Sequence, residues 1–366
     1  MARILFATWD GGGNVPPLLG IAAELRNRGH AVEVIGHQAQ ASTVEQAGLA
    51  FTPYPTARAF TSQRNNSPAR LAASWGGADL GRDVVERART TGAELVVVDC
   101  LLPGAMQALG RAGIRYVVVE HLFDGFLPRL LRGPIGLLVR LRGVSWSRGL
   151  DGAAARLVAS LPSLDPASAT TLPASVEHTG PVVEGRPAAP AEPTVLVSLS
   201  TYAYSGLAAT LQRVLDACAD LPVRVVVTTG PVVDPAELRL PANATAHRWI
   251  PHAELMPEVS LVVGHGGHST TMLALAHDLP LLVLPMHPFV DQPMVGAAVE
   301  AAGAGRRLSK KASPAQLRPV IEELLGDGPH RAAAARLGEE IRSLDGTRRA
   351  ASRIEAVVAN GVPAAG

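Results

Sequence analysis

The stretch RILFATWDGGGNVPPLLGIAAELRNRGHAVEVI, residues 3–35, determines the fold class. It begins with a short apolar run, passes through three glycines into a helical pattern that opens on two prolines, and turns at Arg28-Gly29 into a second apolar run, Ala31–Ile35. Proline suits the first turn of a helix and glycine the position after its end, while strands buried on both faces appear as continuous apolar runs. The stretch therefore predicts a strand, a helix and a parallel strand.

This alternation continues along the chain. Further strands are predicted at Leu95–Val98, Tyr116–Val119, Thr194–Leu199, Val223–Thr228, Leu261–Val263 and Leu281–Leu284, and further helices at Gly104–Gly110 and Leu207–Ala219. Four prolines within residues 181–193 separate the two series. We therefore expect an α/β protein with two Rossmann-like parallel-sheet domains facing a cleft, because alternating strands and helices build parallel sheets that bind ligands at the carboxyl ends of their strands. The expected boundaries are 1–185, a linker at 186–193, 194–350, and a tail at 351–366.

Composition excludes several classes of protein. The 366 residues are 47% hydrophobic and carry 33 basic against 32 acidic side chains, for a net charge of +1. This balance argues against nucleic-acid binding by bulk charge and against an acidic disordered chain. Cys100 and Cys218 lie too far apart for a disulfide framework or a cysteine-rich metal site. With no signal-peptide pattern and no long apolar run, we expect a soluble cytoplasmic protein.

One segment has a different character. Residues 126–142, FLPRLLRGPIGLLVRLR, mix aliphatic side chains with four arginines at roughly helical spacing. The interpretation we favour is a pair of helices broken by Gly and Pro, whose apolar side covers an acceptor site. The alternative is a basic amphipathic patch that touches a membrane or a lipid-like acceptor.

The chemistry is concentrated in residues 249–292, WIPHAELMPEVSLVVGHGGHSTTMLALAHDLPLLVLPMHPFVDQ. A predicted strand delivers Gly264-His265-Gly266-Gly267 onto the start of a helix that begins with His268, Ser269 and Thr270. Glycines allow the backbone to approach a ligand closely, and the N–H groups of a helix N-terminus favour an anion. The segment therefore predicts a phosphate or diphosphate site.

The same segment resembles the donor-binding signature of the GT-B glycosyltransferases of the plant UGT and bacterial antibiotic family. The pattern W-x-P, H-x-G-x-x-S/T and P…D-Q is present in the family's order and spacing as Trp249-Ile250-Pro251, His265–Thr270 and Pro285…Asp291-Gln292. Arg28–Val32 and the Ser200-Thr201 turn are also similar, and the resemblance spans most of the chain. It implies transfer of a sugar from an NDP-sugar, carrying UDP or dTDP, to a small hydrophobic acceptor, such as a secondary-metabolite aglycone.

The resemblance also implies roles for individual residues. Trp249 would stack on the nucleobase, with Ile250 beside it, and Asp291 and Gln292 would contact the sugar hydroxyls. The diphosphate would be held by the turn His265, Gly266, Gly267, His268, Ser269 and Thr270, with Ser200 and Thr201 opposite it. Gly12, Gly13 and Asn14 would line the substrate site. Because fixed dipoles and an imidazole can stabilise the leaving diphosphate, and because no Asp-x-Asp pair occurs, we expect an inverting reaction without a metal or other cofactor.

One position departs from the family pattern. The family places a His or Asp general base where this chain has Asn14, and an amide has no useful basicity. Three residues are candidates for the missing function: Asp10 on the same loop, Asp99 after the strand Leu95–Val98, and His121 after the strand Tyr116–Val119. Asp99 also matches the acidic partner that normally orients the base.

Other interpretations stay open. His265 and His268 could be metal ligands, Trp249 could be ordinary core, and Asp291 could be a helix N-cap. Asn14 motivates a catalytically idle GT-B protein that binds nucleotide or assists a partner enzyme. A sugar-nucleotide epimerase is a third possibility, and a dehydrogenase fits less well because Gly11-Gly12-Gly13 lacks the G-x-G-x-x-G spacing. We expect a monomer or homodimer with no nucleic-acid partner.

Overall fold

The computed structural model describes residues 1–64 and 67–360 and divides into two compact units. The first unit contains most of the chain up to Val182 together with the segment from Asp345 onward, and the second consists mainly of Val183–Leu344. The chain therefore passes from one unit to the other slightly before the expected boundary at residue 185. Both units are α/β, as the sequence predicts.

The first unit is built on a seven-stranded parallel sheet in the order β3-β2-β1-β4-β5-β6-β7. Its strands are β1 Arg3–Ala7, β2 Ala31–Gly36, β3 Ala50–Pro53, β4 Leu95–Asp99, β5 Tyr116–Glu120, β6 Ala155–Val158 and β7 Val176–His178. Its helices include α1 Val15–Asn27, α2 Ala41–Gln46, α3 Pro68–Trp75, α4 Ala78–Thr91, α5 Pro103–Arg111, α6 Leu127–Arg132, α7 Pro134–Leu141 and α8 Trp146–Asp151. The predicted strand–helix–strand unit is confirmed as β1, α1 and β2, paired in parallel.

The second unit repeats the architecture with a six-stranded parallel sheet in the order β10-β9-β8-β11-β12-β13. Its strands are β8 Thr194–Ser198, β9 Arg224–Thr228, β10 Ala244–His247, β11 Leu261–Gly264, β12 Leu281–Val283 and β13 Gly305–Arg307. Its helices are α9 Leu207–Cys218, α10 His252–Leu255, α11 His268–Ala276, α12 Gln292–Ala301, α13 Pro314–Leu325 and α14 Pro329–Leu344. Two Rossmann-like parallel sheets are thus confirmed.

The last helix, α15 Gly346–Ala359, belongs to the first unit and packs on α1. Its buried residues Ala350 and Ile354 join the core that contains Leu18 and Ile21 of α1. Glu355 accepts hydrogen bonds from Arg28 at 2.7 Å and pairs with His30 at 2.9 Å. Most of the segment expected as a tail, 351–366, is therefore part of a packed helix, and residues 361–366 lie outside the described residues.

The segment 126–142 forms the two helices α6 and α7, which meet at Gly133. This is the break at Gly and Pro that the sequence predicts. None of the helices in the described part of the chain is long and apolar enough to span a bilayer. Cys100 and Cys218 are both free and buried.

Candidate active site

In the first sheet the strand order changes direction between β1 and β4, and the residues at that point form a hydrogen-bonded group. Asn14, at the start of α1, donates from Nδ2 to Asp99 Oδ2 at 2.7 Å and to the Trp9 carbonyl at 2.9 Å. The same nitrogen lies 3.4 Å from Thr8 Oγ1. These acceptors fix the orientation of the amide, and Asn14 Oδ1 has no partner among the described residues. Asn14 therefore acts as a hydrogen-bond donor to Asp99, and its buried Oδ1 can still accept a hydrogen bond.

The other oxygen of Asp99 holds His121. Asp99 Oδ1 accepts from the Leu101 amide at 2.9 Å and lies 3.1 Å from His121 Nε2. The Asp99 side chain is fully buried and the His121 side chain is 10% exposed. Burial disfavours the imidazolium, but the Asp99 carboxylate and the Cys100 thiol outweigh it, so the pKa of His121 lies well above its usual range. Two predicted catalytic residues thus form a buried His–carboxylate pair.

Cys100 completes this group, and its chemistry bears on metal binding. Ligand atoms of Asp99, Cys100 and His121 all lie within 4.8 Å of one another. Burial raises the pKa of the Cys100 thiol to about 11, so without a bound ion the thiol is protonated beside the His–carboxylate pair. A cation bound to these three residues would deprotonate the thiol.

Asp10 contacts a different part of the unit. Its carboxylate accepts hydrogen bonds from the Thr61 side chain and the Ser62 backbone, while burial raises its pKa above the usual value. Gly12 has a φ of +86° and Gly13 is exposed. A side chain at Gly11 would place its Cβ 2.6 Å from the Trp9 ring and 2.7 Å from Asn14 Oδ1. The glycine run therefore allows Trp9 and Asn14 to pack closely.

An aromatic cluster surrounds this edge of the sheet and was not predicted from the sequence. Trp9 packs edge-on against Trp75 and Phe60 with ring centroids 5.1 and 5.2 Å apart, and His37 packs against Tyr54 at 5.3 Å. The indole Nε1 atoms of Trp9 and Trp75 have no partner among the described residues. Several of these rings directly follow the ends of β1, β2 and β3. In a chain with only 4% aromatic residues, aromatic side chains at the ends of successive strands could have indicated this cluster.

His37 makes the stability of the protein depend on pH. It is buried, and burial lowers its pKa to about 4 from 6.5. Between those values the unfolded chain binds a proton that the folded chain does not, so stability present above pH 6.5 falls as the pH drops towards 4. At about 1.4 kcal/mol per pH unit the loss is about 3 kcal/mol. We expect urea unfolding of His37→Asn at pH 7.5 and 4.5 to show a smaller pH dependence than that of the wild type. Equal pH dependence in both proteins would contradict this assignment.

The second sheet changes direction between β8 and β11, where the predicted anion-binding turn lies. Gly266 has a φ of +83°, in the left-handed region that favours glycine. The His265 ring lies over Gly267, so closely that a Cβ added to this glycine would be 2.5 Å from His265 Nε2. Burial lowers the pKa of His265 to about 4, and its Nδ1 has no partner among the described residues. The imidazole is therefore neutral at physiological pH and keeps one nitrogen available.

Helix α11 starts at His268, directly after this turn, with Gly267 at the N-cap position. No side chain caps this end of the helix. His268 is 6% exposed, and Ser269 and Thr270 are half-buried. An uncapped helix N-terminus next to a glycine turn presents N–H donors and a positive partial charge, so it can bind a phosphate.

The other predicted donor-site residues of this unit are more exposed. Trp249 is 66% exposed, which excludes its interpretation as a core residue, and Ile250 is half-buried. Ser200 and Thr201 are half-buried after β8, and Ser200 Oγ accepts from the Tyr202 amide at 2.8 Å.

Asp291 and Gln292 occupy different environments although they are adjacent. Gln292 is 2% exposed, and its Oε1 accepts from the amides of Met286 and His287 at 2.8 and 3.1 Å. Its side chain thus shapes the loop after β12, and its expected contact with a sugar stays a prediction. Asp291 stands at the N-cap position of α12 without a side-chain capping bond.

Sequence reasoning missed three further residues around this turn, namely Tyr204, His287 and Lys310. The Tyr204 ring lies 6.4 Å from that of His265 and 5.9 Å from that of His287. Lys310 donates to the carbonyls of Met286 at 2.7 Å and Ser205 at 3.1 Å, joining two loops. A tyrosine pair directly after Ser200-Thr201 was a usable signal for the first of them, whereas nothing local marks Lys310.

The sequence and the fold of this chain are similar to those of known proteins. Residues 212–357 match the family described as Erythromycin biosynthesis protein CIII-like, C-terminal domain. The chain is 27% identical over 427 residues to 4'-demethylrebeccamycin synthase of Lentzea aerocolonigenes, covering 98% of this chain and 100% of that protein. Its fold is similar to that of the calicheamicin glycosyltransferase CalG4, with a TM-score of 0.81, 24% identity and coverage of 99% and 100%. It is also similar to that of the glycosyltransferase VinC, solved with dTDP, with a TM-score of 0.73, 21% identity and coverage of 98% and 100%.

Proposed function

We propose that this chain, a glycosyltransferase of the GT-B fold related to the bacterial antibiotic glycosyltransferases, is an inverting, metal-independent enzyme. It transfers a sugar from a dTDP- or UDP-sugar to a small hydrophobic acceptor. The observation that carries the proposal is the turn Gly264–Gly267, which brings a neutral His265 and the uncapped N-terminus of α11 to one place.

The donor half of the reaction is assigned to the second unit. The diphosphate binds the first turn of α11, where Ser269 and Thr270 add hydroxyl donors, and His265 donates to it from a ring nitrogen. The exposed indole of Trp249 stacks on the nucleobase. Asp291 accepts from the sugar hydroxyls, and Gln292 holds the loop that carries His287. The first turn of α11, the two hydroxyls and His265 are fixed before the reaction. They therefore stabilise the charge that develops on the leaving diphosphate without a cation.

The acceptor half is assigned to the first unit, with His121 as general base. Inversion by direct displacement requires removal of a proton from the acceptor hydroxyl. Asp99 orients His121 and stabilises the imidazolium that forms, as a carboxylate does in other His–carboxylate pairs. Asp10 is the alternative base, supported by its raised pKa and its place on the loop after β1. Asn14 accepts or donates hydrogen bonds but takes no proton.

A second candidate function has one observation in its favour. Buried Asn14 takes the position next to Asp99 that a basic residue would need, with its Nδ2 2.7 Å from Asp99 Oδ2. A protein that kept its nucleotide site and lost its base would show this arrangement. The alternative is a catalytically idle nucleotide-binding or auxiliary protein.

The nature of the acceptor and the cellular setting belong to the same proposal. A secondary-metabolite aglycone is supported by the similarity to 4'-demethylrebeccamycin synthase and to CalG4, the calicheamicin glycosyltransferase. A cytoplasmic location is supported by two free, buried cysteines. We propose that the protein has no nucleic-acid partner and that it is a monomer or a homodimer.

Nucleotide binding and transfer test the proposal. We expect dTDP or UDP, present without added metal and with EDTA, to raise Tm, because a ligand at about 100 times its Kd adds about 2.7 kcal/mol to stability. Mass spectrometry should then detect a glycosylated product with an aromatic or polyketide acceptor panel. Absence of any nucleotide-induced shift would reject the proposal, whereas binding without transfer across the panel would favour the idle protein. Activity that disappears with EDTA and returns with Mg²⁺ would reject metal independence alone.

A further inference from the structure

Helices α6 and α7 and the turn that follows them carry a concentrated positive charge. Residues 127–148 contain five arginines and no acidic residue, in a chain whose net charge is only +1. The five are all exposed, and they are Arg129, Arg132, Arg140, Arg142 and Arg148. Several other arginines of this unit pair with carboxylates, as Arg87 does with Glu33. Among the described residues none of the five forms an ion pair, so their charge is uncompensated.

Helix α7 is also apolar on its outer face. Ile135 and Val139 face inward and are 9% and 0% exposed. Leu137 and Leu141, one helical turn apart, face outward and are 44% and 74% exposed. A helix at a protein surface normally has a polar outer face, whereas two adjacent exposed leucines among arginines form an amphipathic surface.

We propose that this surface, residues 127–148, binds the surface of an anionic phospholipid bilayer. The guanidiniums pair with lipid phosphates, and Leu137 and Leu141 enter the boundary between headgroups and acyl chains. Charge complementarity points to an anionic partner, and the exposed leucines favour lipid over nucleic acid, because a nucleic-acid backbone offers no apolar phase. No helix needs to cross the membrane for this contact. The proposal is independent of the sugar-transfer proposal, although it would bring bilayer-dissolved apolar acceptors to the first unit.

Co-sedimentation of the full chain with vesicles tests this binding. We expect binding to vesicles of 3:1 phosphatidylcholine and phosphatidylglycerol, weaker binding at high salt, and little binding to pure phosphatidylcholine. The variant R129E/R132E/R140E/R142E should lose about 100-fold or more in partitioning. The variant L137S/L141S should lose about tenfold at unchanged net charge.

The control for net charge reverses four exposed, ion-paired arginines elsewhere, in R224E/R239E/R306E/R348E, and should change partitioning less than threefold. Circular dichroism and Tm establish that each variant is folded, and the pair R140E/R142E replaces the fourfold variant if that one unfolds. Equal binding to neutral vesicles, or an equal loss in the control, would overturn the proposal. So would DNA or acidic-protein binding that is as strong as vesicle binding and does not respond to L137S/L141S.

Discussion

We expect replacement of His121 with asparagine to lower kcat by about 10²–10⁴-fold in the proposed sugar transfer, the range that general-base catalysis supplies. Asparagine keeps a hydrogen bond to Asp99 but cannot take a proton from the acceptor. Because the pKa of His121 lies above its usual range, kcat of the wild type should rise with pH through a value above 6.5. The rise of kcat with pH should disappear in the variant. Steady-state kinetics between pH 5.5 and 9.5 measure both effects.

His178 provides a matched control for this substitution. Its Nε2 lies 3.0 Å from Asp165 Oδ2 in the same unit, and its side chain is 8% exposed. His178→Asn therefore disturbs a similar His–carboxylate pair and should leave the pH dependence of kcat unchanged. If His121→Asn keeps wild-type kcat and Asp10→Asn lowers it by 10²-fold or more, the base is Asp10 and the assignment of His121 is wrong.

Introducing a histidine at position 14 gives a second readout. In the His121→Asn background, Asn14→His places an imidazole next to Asp99 Oδ2, where the amide nitrogen now lies at 2.7 Å. We expect partial recovery of kcat, because a base is restored on the same carboxylate. A purely structural role of His121 would not predict this recovery.

We expect replacement of Gly266 with alanine to weaken nucleotide binding. The residue has a φ of +83°, and an added Cβ would lie 2.8 Å from Val283 Cγ1 and 2.9 Å from the Gln292 carbonyl oxygen. The turn must shift, and with it His265 and the start of α11. We expect Kd for dTDP or UDP, measured by calorimetry, to rise at least tenfold, and the free energy of unfolding to fall by about 1–3 kcal/mol.

Gly110→Ala is the control for this substitution. Gly110 lies inside α5, and a Cβ there would meet nothing within 4 Å. Alanine favours a helix interior over glycine by about 0.5–1 kcal/mol, so the control should be slightly stabilised and bind nucleotide normally. Unchanged nucleotide affinity in Gly266→Ala would show that this turn does not hold the diphosphate.

The strands and turns that could be predicted are those whose local sequence carries the whole signal. β1, β4, β5, β8 and β11 are buried on both faces and appear as apolar runs, and the glycines of residues 264–267 mark their turn directly. The strands β3, β6, β7, β10 and β13 were missed, and all of these except β6 lie at sheet edges. An edge strand of three or four residues is partly exposed and needs no apolar run.

The sequence by itself determined the fold class, the glycine turn at residues 264–267 and the absence of a base at position 14, because each depends on residue types adjacent in the chain. Only the tertiary structure showed that Asn14 and His121 share Asp99, that Gln292 points inward, and that α15 returns to the first unit. Those facts depend on side-chain direction and on contacts between residues as far apart as Arg28 and Glu355. Hydrogen bonding and packing select such partners from many chemically equivalent side chains, so the choice is made by the folded geometry.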